Sequence, residues 1–103
     1  MEFKDKTINI FGSKYKIKYV ESCSDEDRFS FGKCNHIHKT ILIATKDDKG
    51  NNLPPEEIKL TLYHELIHAI LMTGQYLNSN DDEPLVEWLA RCLNSLIKQK
   101  VLC

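Results

Sequence analysis

Residues 61–71 read TLYHELIHAIL, and this stretch decides how the rest of the chain is interpreted. Two histidines lie four residues apart, and a glutamate follows the first of them. Residues four apart on an α-helix lie above one another on the same face, so His64 and His68 can direct an imidazole nitrogen toward one point. Glu65 lies about 100° around the helix from His64 and is therefore placed beside that point.

This spacing predicts a metal site on a helix. Zinc accepts neutral imidazole at about 2.0–2.1 Å, and two histidines one turn apart suit its tetrahedral geometry. The H-E-x-x-H pattern is the metalloprotease helix motif, in which the glutamate acts on a zinc-bound water. We therefore expect Zn²⁺ on His64 and His68, with Glu65 as the catalytic residue. The alternative is purely structural: both histidines hydrogen-bond to backbone or water, and Glu65 pairs with a lysine.

A catalytic zinc site needs a third protein ligand and one open position. Glu87 is the predicted third metal ligand, because it lies one turn into a second helix, at the rim of that helix's apolar stripe. Ala90 is small enough to let the two helices approach closely there. Glu83 is the alternative ligand. Arg91 either forms a surface ion pair with Glu87 or orients it as a ligand.

The rest of the chain predicts an α+β fold with a small three-to-four-stranded sheet. Alternating apolar residues over 7–20 predict a β-hairpin that turns at Gly12-Ser13, and the β-branched stretch 37–44 predicts a third strand. The double proline before two glutamates starts a helix over 54–73. A second helix is expected over 84–98, with an apolar stripe formed by Leu85, Leu89, Cys92, Leu93, Leu96 and Ile97.

Composition narrows the class of protein. A chain of 103 residues predicts a single domain over 1–103. Its net charge of −1 gives no general attraction to nucleic acid or membrane, and the alternating lysines 14, 16 and 18 are interpreted as the wet face of a strand. The four cysteines, without a CxxC pair or a signal peptide, are expected to be reduced thiols in a cytoplasmic protein, and the alternative is two disulfides in a secreted form.

The motifs also resemble a known family. HELIH, followed about twenty residues later by a glutamate on a second helix, resembles the gluzincin metallopeptidases. The small size is similar to the minigluzincins and to short phage and prophage members of the ImmA/IrrE group. TLYHELIHAIL, VEWLA and FGKCNHIHKTILIA carry this resemblance over residues 32–97. It implies a zincin-like domain with zinc on His64, His68 and Glu87, and Glu65 as general base and acid.

The predicted reaction is hydrolysis of a peptide bond in a peptide or protein substrate. An oxyanion donor is expected among His36, His38, Tyr63 and Tyr76. The strand over 37–44 is a candidate edge with which a substrate peptide could pair. Cys34, His36 and His38 alternate along this strand as a weaker second metal candidate, and Cys103 is a weak candidate for a fourth zinc ligand.

Three functions of different classes therefore stay open. The first is a zinc endopeptidase. The second is a non-catalytic protein-binding module with a structural zinc, in a phage or prophage regulatory role. The third is a small interaction domain without metal. Retention of Glu65 favours the enzyme, because a structural site needs no carboxylate beside the metal, whereas the small size of the chain favours the binding module.

Overall fold

The computed structural model describes residues 3–23 and 30–100. Its elements are β1 (Lys6–Ile10), β2 (Ser13–Val20), β3 (Gly32–Asn35), β4 (Thr40–Ala44), α1 (Pro55–Thr73), α2 (Leu77–Asn80) and α3 (Glu83–Lys98). The four strands form one mixed sheet in the order β1-β2-β4-β3, in which β2 and β4 are parallel and the other pairs antiparallel. The predicted α+β class is confirmed.

Helix α1 lies between two apolar cores. On one side it packs on the sheet, where Tyr15, Ile17, Ile41 and Ile43 are at most 2% exposed. On the other side Ile67 of α1 packs against α3. A helix that contacts two layers is apolar around most of its circumference, which explains the aliphatic residues that surround the histidine motif.

The buried face of α3 matches its predicted apolar stripe only in part. Four members of the stripe are partly buried, namely Leu85, Cys92, Leu93 and Ile97. Val86 and Ala90 are fully buried, whereas Leu89 and Leu96 of the predicted stripe remain 37% and 39% exposed. The buried face is therefore rotated from the predicted one. The small side chain of Ala90 lies at the helix contact as predicted, and Glu87, next to Val86, lies beside this contact on the side of the histidines.

The segment before α1 differs from the prediction in two ways. The predicted strand over 37–44 begins only at Thr40, because the Asn35 Oδ1 accepts hydrogen bonds from the backbone N–H groups of Ile37 and His38 and holds residues 36–39 in a turn. An additional strand, β3, precedes this turn. Consequently β4 is paired on both sides and β3 lies at one edge of the described sheet, so the prediction that 37–44 forms the edge was wrong.

The hairpin is confirmed with a small shift of its turn. The two residues between β1 and β2 are Phe11 and Gly12, and both have positive φ angles (49° and 96°). This combination is typical of the two-residue turns whose twist matches a hairpin. The Gly12 N–H also donates to Asn9 Oδ1 at 2.7 Å.

Three of the cysteines, Cys23, Cys34 and Cys92, are free thiols in the structure, while Cys103 lies outside the described residues. Cys23 is buried and its thiol donates to the Ser30 carbonyl at 3.0 Å. Among the described residues, no helix is both long and apolar enough to cross a membrane.

Gly32 of β3 allows α1 to lie close to the edge of the sheet. A Cβ atom at this position would lie 2.7 Å from Thr61 Cγ2, 3.0 Å from Glu65 Cγ and 3.3 Å from the Leu42 carbonyl oxygen. Contacts below 3.0 Å force neighbouring atoms to move. The absence of a side chain at residue 32 therefore sets the distance between β3 and the helix that carries Glu65.

We expect Gly32→Ala to lower the free energy of unfolding by about 1–3 kcal/mol, because overpacking at a close contact strains both elements. Adding Thr61→Ser removes the nearest methyl group and keeps the hydroxyl that donates to the Glu57 carbonyl. The double variant should recover part of the loss in urea unfolding. Equal midpoints for Gly32→Ala and the wild type would show that the contact does not constrain the fold.

Candidate metal centre

His64 and His68 lie on the same face of α1, as the spacing predicts. Their ring centroids are 5.0 Å apart with an interplanar angle of 60°. The two side chains are only 20% and 12% exposed, so this pair is largely withdrawn from water. Imidazoles buried to this extent need a hydrogen-bond partner for each ring nitrogen, and each of these two rings has a partner at both nitrogens.

The two Nε2 atoms converge on one carboxylate. Glu83 Oε2 lies 3.0 Å from His64 Nε2, and Glu83 Oε1 lies 3.0 Å from His68 Nε2. Glu83 is the first residue of α3, whose start is set by Asp82, the N-cap that accepts a hydrogen bond from the Leu85 N–H. One ligand atom from each of the three residues lies within 4.8 Å of the others, so the group could hold a metal ion.

The two Nδ1 atoms are held by other oxygen acceptors. His64 Nδ1 lies 3.0 Å from Glu87 Oε1, and His68 Nδ1 lies 2.8 Å from Asn80 Oδ1. These oxygens only accept, so each Nδ1 carries the proton and donates it. In a neutral imidazole this leaves the lone pair on Nε2, on the side that faces Glu83. Arg91 in turn holds Glu87, with 2.9 Å between its Nη2 and Glu87 Oε2.

One divalent cation satisfies the two Nε2 atoms and the Glu83 carboxylate better than additional protons on the two rings. With both Nδ1 atoms already donating, the Glu83 carboxylate can be bonded by both Nε2 atoms only if both rings are protonated. Two cationic rings with centroids 5.0 Å apart repel each other. One divalent cation between the Nε2 atoms and Glu83 supplies the same positive charge while both rings stay neutral, which is the form that binds metal.

Glu65 lies beside this group and is buried. It is 8% exposed, and Gly32 of β3 packs against its side chain. Burial raises the pKa of the Glu65 carboxyl above its usual value, the nearby His64 and His68 oppose this rise, and Glu83 adds to it. A carboxyl with a raised pKa takes up a proton more readily, as a general base requires.

A cleft of about 500 Å³ opens beside these residues. Its lining includes Phe31 and Gly32 at the start of β3, Leu60 and Thr61 of α1, and Arg91 of α3. His64, Glu65 and His68 all line the cleft, together with Glu83 and Glu87. A ligand in the cleft would therefore contact both the metal group and Glu65.

The structure brings together His64, His68 and Glu65 as predicted, and it places the two predicted carboxylates in different positions. Glu83, the alternative ligand in the sequence, faces the Nε2 atoms. Glu87, the predicted ligand, lies behind His64 on Nδ1 and is held by Arg91. Helix α3 enters the site at its first residue, and Glu87 is one turn farther along it.

The predicted oxyanion donors lie in four different environments. His36 is half-buried, with Nδ1 3.5 Å from Cys34 Sγ, and its pKa is lowered by burial and by the nearby His68. His38 is exposed in the same turn. Tyr63 packs against the core between α1 and α3, and Tyr76 is 64% exposed. His68, a predicted metal ligand, thus belongs to the electrostatic environment of His36.

The second metal candidate is not assembled among the described residues. His36 and His38 lie in the turn after β3 and not on a strand, so they do not alternate with Cys34 on one face. Burial, together with the nearby Glu65, raises the pKa of the Cys34 thiol to about 12. A thiol with such a pKa stays protonated near neutral pH and is a poor metal ligand. The Cys103 candidate lies outside the described residues.

Asn80 is the site residue that the sequence analysis missed. It ends the short helix α2, which the sequence shows only as a polar loop, and its side-chain amide also lies 4.0 Å from Met72 Sδ. Polar residues in such loops usually cap helices, and no spacing rule distinguishes one that turns back to a histidine.

Comparison of the chain with protein-family models, with curated proteins and with solved structures finds no match.

Substitution of Glu65 tests its burial in metal-free protein kept in EDTA. The pKa of Glu65 is higher in the folded chain than in the unfolded chain, so protonation of Glu65 stabilises the fold. This stabilisation is complete below the unfolded pKa of about 4.3, and it is lost as the pH rises through the folded pKa. Glu65→Gln mimics the protonated form. It should therefore unfold at higher denaturant than the wild type at pH 7, and the gain should vanish near pH 4.

Glu57→Gln, in the exposed first turn of the same helix, controls for the loss of one negative charge. An equal gain from Glu65→Gln at both pH values would contradict the assignment of a buried, proton-binding carboxyl.

Proposed function

We propose that this chain is a zinc-dependent metallopeptidase that hydrolyses peptide bonds. The observation that carries the proposal is the convergence of two histidine Nε2 atoms on the Glu83 carboxylate, with buried Glu65 beside them and a cleft in front. The resemblance of HELIH and its downstream glutamate to gluzincins supports the same function, and it extends to the minigluzincins and to short phage and prophage members of the ImmA/IrrE group.

Zinc is the metal that the donor set favours. Two imidazoles and one carboxylate are the protein ligands of many catalytic zinc sites, whereas magnesium and calcium prefer oxygen ligands. In this proposal His64, His68 and Glu83 hold the ion. Glu87 and Asn80 fix the two rings, and Arg91 fixes Glu87. Such hydrogen bonds behind the ligands orient metal-binding histidines.

The proposed mechanism assigns the proton transfers to Glu65. Zinc, when bound, acts as a Lewis acid that lowers the pKa of water and polarises the substrate carbonyl. Glu65 takes the proton of the attacking water and passes it to the amine nitrogen as the carbon–nitrogen bond breaks. The burial that raises the pKa of Glu65 makes it a better proton acceptor. His36 is the proposed candidate for an additional donor near the substrate carbonyl.

The position of β3 supports a peptide substrate. Among the described residues, β3 pairs only with β4, and it lies along α1 next to Glu65. An extended peptide can add to such an edge through main-chain hydrogen bonds and so pass through the cleft beside Glu65. The edge role that the sequence analysis assigned to 37–44 is thus proposed for β3.

Metal affinity of single variants tests the assignment of the carboxylates. Glu83→Ala should lower zinc affinity by more than about 100-fold, because it removes a ligand, whereas Glu87→Ala should lower it by about 10–100-fold through loosened His64. Competition with a chromophoric chelator measures both, with Glu57→Ala on the cleft wall as the control. If Glu87→Ala has the larger effect, Glu87 is the ligand as the sequence first indicated, and Glu83 is not.

Peptidase activity of Glu65→Gln tests the reaction. The variant should retain one zinc per chain and lose at least about 100-fold in kcat/KM, because it cannot accept a proton. A peptide-library digest compares it with the wild type, and Asp48→Asn, which changes an exposed carboxylate outside the cleft lining, should cleave normally. A wild type that binds zinc but cleaves no better than Glu65→Gln would favour the non-catalytic binding module with a structural zinc.

A further inference from the structure

The two faces of the sheet differ sharply. α1 covers the face that carries Tyr15 and Ile17 of β2, and both are buried. Side chains alternate along a strand, so Lys14, Lys16 and Lys18 point to the opposite face. All three are exposed, and no helix of the described chain packs on them.

The strand register extends this surface across the sheet. Lys16 lies beside Thr40 and Lys18 beside Leu42, and Leu42 in turn lies beside Lys33 of β3. We call the surface formed by Lys14, Lys16, Lys18 and Lys33, with Leu42 between them, the lysine face. The outward positions of the four strands include no acidic and no aromatic side chain.

The β2 lysines form no ion pair with a described residue, and the carboxylate near them is that of Asp5, which precedes β1 and accepts a hydrogen bond from the Tyr19 N–H at the end of β2. Other lysines do form such pairs with glutamates, namely Lys46, Lys59 and Lys98. A chain with a net charge of −1 thus gathers positive charge on one face, while acidic side chains gather around the cleft. The charge complement of the lysine face is an anionic partner.

The spacing of the lysines suits an extended acidic peptide. Alternate residues of a strand are about 6.7 Å apart, which is also the spacing of alternate carboxylates on an extended peptide. Beside the row, a hollow of about 280 Å³ is lined by Leu42, Thr40, His38, Asn35 and Lys33. Its apolar floor can accept one aliphatic side chain.

Nucleic acid fits this surface less well. Sheets that bind single strands stack the bases on exposed aromatic side chains, and the lysine face has no aromatic residue at its outward strand positions. A phosphate backbone also has no group that would fill the hollow beside Leu42.

We infer that the lysine face is a docking surface for an acidic segment of a partner protein, with alternating carboxylates on Lys14, Lys16 and Lys18 and an aliphatic side chain beside Leu42. The surface is on the opposite side of the sheet from α1 and its histidines. The inference therefore does not depend on the metal or on peptidase activity, and either can fail without the other.

Fluorescence anisotropy with the full chain tests this inference. The probe is a labelled peptide of alternating glutamate and threonine with one central leucine. We expect binding that weakens between about 50 and 200 mM salt, since screening reduces contacts between exposed charges. Reversal of three charges, Lys14→Glu with Lys16→Glu and Lys18→Glu, should weaken it by about 20-fold or more.

A matched variant carries the same charge change elsewhere, at the exposed residues Lys6, Lys49 and Lys100, and should stay within about threefold of the wild type. Thermal unfolding by circular dichroism checks that both variants fold. If the β2 reversal does not fold, glutamine at the same three positions replaces it and should still weaken binding clearly.

Four outcomes would overturn the inference. In the first, the acidic peptide binds no more tightly than a version with lysine in place of glutamate, and in the second, both triple variants lose the same peptide affinity. In the third, single-stranded DNA of equal charge binds more tightly than the peptide. In the fourth, the chain associates with itself and the β2 reversal abolishes this association. The last would mean that the face binds the acidic side of a second copy.

Discussion

The close packing of α1 between the sheet and α3 is the constraint on which the rest of the structure depends. The helix has to be apolar on two sides at once, toward Ile41 and Ile43 of the sheet and toward Val86 of α3. Only the remaining part of its surface is left for polar groups. His64 and His68 occupy it, and Glu65 is placed where the helix meets β3. Packing on two sides therefore determines which positions of α1 can carry the polar groups of the site.

The polar groups of the site form two layers with different tasks. Glu83 and the two Nε2 atoms face one another, and Glu87 and Asn80 hold the rings from behind through Nδ1. At His64 this division follows from the pitch of α3, because Glu83 and Glu87 are one turn apart and reach opposite sides of the same imidazole. A carboxylate in the second layer also gives Arg91 its position at the cleft.

Sequence reasoning predicted the parts of the structure that depend on local pattern. The hairpin, the long helix and the pairing of His64 with His68 follow from periodicity and spacing, and each is present. The parts it missed depend on how elements dock. Val86 and Ala90 face α1 in place of the more hydrophobic Leu89 and Leu96, because the small side chains allow close approach. Asn35 ends β3 through hydrogen bonds that periodicity does not show. The positions of Glu83 and Asn80 follow from the same docking.

The origin of the site residues on three separate helices has a thermodynamic consequence. α1 supplies the histidines, α2 supplies Asn80 and α3 supplies Glu83 and Glu87, so the group exists only while α3 is docked. An ion that binds this group binds the folded chain and not the unfolded one, and by mass action it stabilises the folded state. The attachment of the C-terminal helix, and with it the lifetime of the whole chain, would then vary with the concentration of free metal around it.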